Sequence, residues 1–175
     1  MTALYFVADV LLSLYLFVFV LRVLLQWVRA DFRNQIAQAV VRLTNWLVLP
    51  LRRVLPPVGK VDTASVIAVV LAGAAMIGLL SLLAAGALPP PIEWLRLTAL
   101  EIARITLQGY FYAILFYALL SFVDPPGYSP LAAVLASLCN PVLAPVRRLI
   151  PPIAGLDLSP LWVAIAIQAI LILLH

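Results

Sequence analysis

The chain alternates long apolar runs with shorter polar stretches, and the apolar runs predict where it crosses a membrane. A helix rises about 1.5 Å per residue, so about 20 apolar residues cross a hydrocarbon core about 30 Å thick. The pattern predicts four spans, at about residues 3–27, 64–88, 103–123 and 160–174. We expect the first to be a retained span, because neither a basic leader nor a cleavage site flanks it. The last covers only about 21 Å, so bilayer thinning or packing has to complete its crossing.

Two shorter stretches, at about 34–49 and 131–140, are predicted to be interfacial or re-entrant helices. The second would cover only about 15 Å. In the first, apolar residues recur at helical spacing opposite a polar face, which indicates an amphipathic helix. This apolar stripe consists of Ile36, Val40, Leu43 and Leu47. Each stretch is predicted to lead into an elbow in which prolines frame two adjacent arginines.

The elbows belong to a motif that recurs at an offset of 95 residues. Its matching positions are Asn45, Pro50, Arg52, Arg53, Pro56, Pro57 and Asp62, and then Asn140, Pro145, Arg147, Arg148, Pro151, Pro152 and Asp157. Few of these residues are apolar, so the coincidence is hard to obtain by chance in a chain that is 66% hydrophobic. The sequence therefore predicts a doubled unit, with a first half at 1–92 and a second half at 93–175, each carrying two spans.

Composition indicates that lipid surrounds much of the chain, because only 10% of its 175 residues are charged. The expected fold class is an all-α membrane protein of two tandem, parallel repeats. The net charge of +4 does not indicate a nucleic-acid partner, because the basic residues cluster in loops beside the apolar runs. That clustering predicts both elbows in the cytoplasm and both termini outside.

The residue types predict neither an enzyme nor a cofactor. Cys139 is the sole cysteine and His175 the sole histidine, so an internal disulfide, a metal cluster or a haem with internal axial ligands has no residues to use. The serines in the spans have no evident base, and the chain contains no glycine-rich phosphate loop. We therefore expect a protein that binds rather than catalyses.

Each arginine pair is open to two interpretations. It is either a topological anchor whose side chains reach lipid phosphates, or a shaped site for anionic head groups or an acidic partner. For Asp62 and Asp157, each just before a span, helix capping is the preferred role and an ion pair with the nearby arginines is the alternative.

Three charges fall inside the predicted spans, namely Asp9, Arg22 and Arg104. Intramembrane charges are costly and usually face a partner. We hypothesise that Asp9 and Arg104, which match at the repeat offset, pair with each other, and Glu101 competes as the partner of Arg104. Arg22, which matches Tyr117, is expected to extend toward the cytoplasmic surface.

The repeated Pro-x-Arg-Arg-x-x-Pro-Pro elbow, followed in the second copy by Gly155-Leu156-Asp157-Leu158-Ser159-Pro160, resembles the YggT family, also called YlmG-like. The resemblance covers essentially the whole chain as two family units. The first copy departs from it, with Lys60 in place of Gly155. The resemblance implies a small integral protein of bacterial inner membranes and plastids. Relatives are linked to cell division or envelope organisation, osmotic tolerance, and assembly of haem-containing cytochrome complexes.

These features together predict a non-enzymatic scaffold or assembly factor that engages membrane lipids and other membrane proteins through its elbows. A transporter or channel component with a pathway near the intramembrane charges is the alternative. A haem-handling factor is the third interpretation. The sequence leaves homo-oligomerisation open.

Overall fold

The structure is a computed structural model that describes residues 3–55, 62–123, 129–149 and 157–174. The described residues form six helices: α1 (Ala3–Trp27), α2 (Gln35–Val54), α3 (Thr63–Ala85), α4 (Pro91–Val123), α5 (Pro130–Leu149) and α6 (Ser159–Leu173). Every regular element in the described ranges is helical, so the predicted all-α class is confirmed.

Four of these helices are long and apolar enough to cross a membrane, namely α1, α3, α4 and α5. The prediction of about four spanning helices is thus confirmed, but the identity of the fourth differs. The 15-residue α6 is shorter than the other apolar helices. The segment predicted as a short helix at 131–140 instead continues to Leu149 and becomes the 20-residue α5.

Both elbows begin inside helices, which corrects the predicted break before each arginine pair. Pro50 lies within α2, and Pro145 lies within α5 together with Pro141. A proline removes one backbone hydrogen bond, yet a helix in lipid still satisfies more backbone groups than an open elbow would. Arg52, Arg53, Arg147 and Arg148 therefore occupy last helical turns. Pro56, Pro57, Pro151 and Pro152 lie outside the described residues.

The turn between α1 and α2 is fixed by its own hydrogen bonds. Arg29 adopts a left-handed φ of 54°. The amide of Ala30 donates to the carbonyl of Leu25 at 2.9 Å, and the amide of Arg29 donates to that of Gln26 at 3.2 Å. This Schellman arrangement closes the end of α1. Asn34 then starts α2, because its Oδ1 accepts the amide of Ile36 at 2.9 Å.

The boundary between α3 and α4 is set by a glycine rather than by the prolines at 89–91. Gly86 has a φ of 68°, a conformation that glycine adopts without steric cost, and its amide closes α3 on Leu82. Pro91 occupies the first position of α4, where its missing amide leaves no bond unmade. Glu93, Trp94 and Arg96, which precede the predicted third span, are helical and belong to α4.

Small residues on α3 allow α4 to approach closely. A Cβ on Gly78 would lie 2.8 Å from the Trp94 ring, and one on Gly73 would lie 3.2 Å from Ile102. Trp94 uses this proximity to donate its indole N–H to the carbonyl of Ala74 at 2.9 Å. A larger side chain at position 78 would therefore displace the indole.

The helices α2 and α5 bury the same face. Four buried positions match at the 95-residue offset, namely Ala37, Val40, Thr44 and Val48 on α2, and Ala132, Leu135, Cys139 and Leu143 on α5, which also buries Val134 and Leu138. The stripe predicted for α2 is wrong at Leu43, which is exposed. The true face includes Thr44, whose polarity hides it from a search for apolar periodicity.

The chain divides into two compact units. One consists of Met1–Val23 and Val40–Thr106, and the other consists of Leu24–Ala39 and Leu107–His175. The core of the second unit contains Ile114, Cys139, Leu143, Val163 and Ile167. The second unit combines Leu24–Ala39 with the later part of the chain. The two units therefore do not coincide with the halves predicted from the sequence. Those halves stay a prediction.

Candidate functional site

The first arginine pair lies at the end of α2, and one of its members closes the connection to α3. Nη2 of Arg52 lies 2.5 Å from Oδ2 of Asp62, the residue directly before α3. The same carboxylate accepts a hydrogen bond from the hydroxyl of Ser65. We call Arg52, Asp62 and Ser65 the first helix-end cluster. It joins two helices across the six residues that the structure leaves undescribed.

The second arginine pair repeats this arrangement at the end of α5. Nε of Arg147 donates to Oδ2 of Asp157 at 2.7 Å, and its Nη1 donates to Oδ1 of Asn140 at 3.2 Å. The guanidinium carbon also lies 5.9 Å from the centroid of the Tyr117 ring, within cation–π range. The Tyr117 hydroxyl donates to Asn140 at 3.4 Å. We call these four residues the second helix-end cluster.

Both aspartates pair with an arginine, which favours the alternative role over the preferred one. Asp62 stands at the N-cap of α3, yet its carboxylate is directed at Arg52 and Ser65. Asp157 does both, because its Oδ1 accepts the Ser159 amide at 2.9 Å. Burial raises the pKa of the Asp157 carboxyl, but hydrogen bonds from Ser159 and Arg147 outweigh it and hold the pKa below its ordinary value.

The second member of each arginine pair does not take part in the helix-end cluster. Arg53 and Arg148 are exposed, and neither has a hydrogen-bond or ion-pair partner among the described residues. Each pair is therefore divided between one arginine that closes a helix connection and one that faces outward. The sequence did not predict this division, because adjacent arginines look alike until the helix places them about 100° apart.

Arg22 is buried rather than extended toward the surface, which corrects its expected role. Its side chain is 2% exposed, and Nη1 donates to Oγ1 of Thr44 at 2.6 Å and to Oδ1 of Asn45 at 2.9 Å. A third acceptor is the carbonyl of Val41 at 3.3 Å. The acceptors lie within one turn of α2, so we call Arg22, Thr44 and Asn45 the Arg22 cluster.

The acceptors that contact the Arg22 guanidinium are uncharged oxygen atoms rather than a carboxylate. Thr44 presents its oxygen to Arg22 because its own hydroxyl donates to the carbonyl of Val40 at 2.7 Å. Nε of Arg22 is buried without a hydrogen-bond partner among the described residues. The arrangement is thus one of charge-assisted hydrogen bonds rather than an ion pair.

The hypothesis that pairs Asp9 with Arg104 is wrong. Nη2 of Arg104 lies 3.2 Å from Oε1 of Glu101, one turn earlier on α4, and Asp9 is not a partner of Arg104 in the described structure. The competing pair forms because residues three apart on a helix already lie side by side. The three intramembrane charges therefore do not converge on one site.

Three residues of the clusters, namely Ser65, Thr44 and Tyr117, were missed as functional candidates. Tyr117 was visible only as the match of Arg22 at the repeat offset. Thr44 gave no signal, because it matches Cys139 and a threonine in an apolar segment is unremarkable. No group of three metal-ligating side chains occurs in the described ranges.

The chain is similar to one protein family and to several uncharacterised bacterial proteins. A family model described as CCB3/YggT matches residues 1–83 and again 97–175. An uncharacterised protein of Pseudomonas aeruginosa is 37% identical over 97% of this chain and 86% of the relative. One of Vibrio alginolyticus is 37% identical over 96% and 91%, and the uncharacterised protein YggT of Escherichia coli K12 is 34% identical over 97% and 88%. No solved structure matches.

Proposed function

Because the chain belongs to the CCB3/YggT family, we propose that it is a non-enzymatic scaffold or assembly factor of the bacterial inner membrane, serving envelope organisation or assembly of membrane complexes. Four long apolar helices support a multi-pass membrane protein. In this proposal the arginine-pair ends of α2 and α5 lie at the cytoplasmic surface and engage lipids and other membrane proteins.

The division of each arginine pair carries the proposal. Arg52 and Arg147 fix a helix end through Asp62 and Asp157, so their neighbours are presented from a defined position rather than from a loose loop. Exposed guanidinium groups at such positions suit recognition of anionic groups, because an arginine fork binds carboxylate or phosphate in a bidentate manner. A scaffold needs both features, a helix end that is held in place and an exposed side chain that can bind a partner.

Cross-linking in cells tests the scaffold role. A photoreactive amino acid replaces Leu149, which is exposed beside Arg148, and a matched control replaces Leu95, which is exposed on α4. We expect a defined membrane protein to be captured from position 149 but not from position 95, and to be lost in an Arg147→Gln/Arg148→Gln background. Equal capture from both positions, or none from position 149, contradicts the proposal.

Transport is the second candidate, and the burial of Arg22 supports it. A cation inside an apolar bundle is costly, and such residues commonly mark ion or substrate pathways. Vesicles reconstituted with the full chain test this role through osmotic shrinkage and swelling with small solutes. Solute flux that falls tenfold or more in Arg22→Met but persists in Arg96→Met would favour transport over the scaffold.

A further inference from the structure

We infer that Arg53 and Arg148 bind the phosphate of anionic phospholipids, and that the other arginine of each pair does not. This inference deepens the proposed function and rests on its placement of the two helix ends at the membrane surface. The first step is the division already described, in which Arg52 and Arg147 have carboxylate partners and their neighbours have none in the described structure.

The second step is the surface to which each free arginine belongs. On both helices the exposed positions recur at intervals of three and four residues, which places them on one face. We call this face the exposed stripe, and it consists of Trp46, Leu49, Pro50 and Arg53 on α2, and of Pro141, Ala144, Pro145 and Arg148 on α5. The two stripes match position by position at the 95-residue offset. Each is apolar until its final residue, which is the free arginine.

The third step is the residue after each free arginine. Val54 is 77% exposed and Leu149 is 81% exposed, although both are apolar. In a protein surrounded by lipid, an exposed apolar residue contacts acyl chains, and a cation at the end of the same surface reaches the head groups. Trp46, which is 61% exposed, has the amphipathic ring that favours this depth. Each exposed stripe therefore begins with apolar residues and ends with a cation. This order matches the acyl chains and the anionic head group of a lipid.

Charge selects which lipid binds. Zwitterionic lipids neutralise their own phosphate, whereas anionic lipids leave a net charge that a basic residue at the surface attracts. The carboxylates of the helix-end clusters are occupied by Arg52 and Arg147, so they do not compete for Arg53 and Arg148. The occupant is accordingly an anionic phospholipid rather than any lipid of the bilayer.

Native mass spectrometry of the full chain tests the inference, with dioleoyl-phosphatidylglycerol and dioleoyl-phosphatidylcholine added in equal amounts. We expect wild type to retain dioleoyl-phosphatidylglycerol preferentially over dioleoyl-phosphatidylcholine. Arg53→Gln and Arg148→Gln should each reduce that preference about fivefold. The matched control is Arg96→Gln, which removes an exposed charge on α4 that has no partner among the described residues. It should change the preference less than twofold.

Two outcomes overturn the inference. One is an undiminished preference in the double variant Arg53→Gln/Arg148→Gln. The other is an equal loss in Arg96→Gln, because net charge alone would then explain the effect. A second readout guards against misfolding: Arg53→Lys/Arg148→Lys should keep most of the preference, since the charge remains. The scaffold proposal is judged separately, because capture of a protein from position 149 does not depend on which lipid the purified chain retains.

Discussion

The Arg22 cluster and the second helix-end cluster are built on matching positions, yet they are connected differently. In the first half Asn45 accepts from the buried Arg22, and Arg52 is left to pair with Asp62. In the second half Tyr117 stands where Arg22 does, and Arg147 reaches Asn140 and Asp157 together.

One charge accounts for this difference. Two guanidinium groups on one asparagine oxygen would repel each other, so Arg22 excludes Arg52 from Asn45. The Tyr117 ring attracts a cation, and Arg147 extends across it toward Asn140. The half with a buried cation therefore has two separate polar clusters, and the half with a tyrosine has one.

The largest expected effect comes from removing the buried cation. Arg22→Met should lower the free energy of unfolding by about 2–3 kcal/mol, because Thr44 and Asn45 lose a charged donor in a buried site. Reversible unfolding in mixed micelles measures the change. The matched control is Arg96→Met on the exposed surface of α4, which should stay within about 0.5 kcal/mol of wild type. Equal losses in the two variants would mean that the Arg22 hydrogen bonds add no net stability.

Introducing a cation into the second half should be the next largest effect. Tyr117→Arg brings a positive group beside Arg147 and should cost about 1–2 kcal/mol, since the two charges compete for Asn140. Tyr117→Phe keeps the ring and removes only the hydroxyl, so it should cost about 0.5–1 kcal/mol. The same unfolding assay separates them. If Tyr117→Arg is no worse than Tyr117→Phe, repulsion does not explain how the two halves differ.

Sequence reasoning could predict the helix class and the partners of two arginines, because both follow from patterns along the chain. Asp62 and Asp157 recur at one offset from Arg52 and Arg147, so their pairing was available as an alternative. The helix ends could not be predicted well, since Pro50 and Pro145 break helices in water but are accommodated where lipid penalises open backbone. The burial of Arg22 could not be predicted either. It depends on the rotation of α2 that turns Thr44 inward and Leu43 outward.

The helix-end ion pairs should contribute less than the buried groups. Arg52 and Arg147 are each more than a third exposed, so solvent screens their pairing with aspartate. Double-mutant cycles with Arg52→Gln/Asp62→Asn and Arg147→Gln/Asp157→Asn should each give a coupling energy of about 0.5 kcal/mol. Arg147→Gln alone should cost about 0.5–1 kcal/mol more than Arg52→Gln, because it also loses Asn140 and the Tyr117 ring. If Arg147→Gln and Arg52→Gln lower the free energy of unfolding equally, the additional contacts of Arg147 with Asn140 and Tyr117 contribute no net stability.

The smallest expected effect is a pH dependence confined to the second helix-end cluster. Asp157 has a folded-state pKa below its unfolded value of about 3.9. Such a group stabilises the folded state above the unfolded pKa, and this contribution is lost as the pH falls through the folded pKa.

The stability difference between wild type and Asp157→Asn should therefore be constant between about pH 5 and 7 and should shrink below about pH 4. Arg147 stays charged across this range because its pKa is raised above its ordinary value, so the change reports the carboxyl. A difference that grows as the pH falls would require Asp157 to bind its proton more tightly in the folded state. Arg147 would then not hold its carboxylate, and the connected cluster of the second half would be broken at its exposed end.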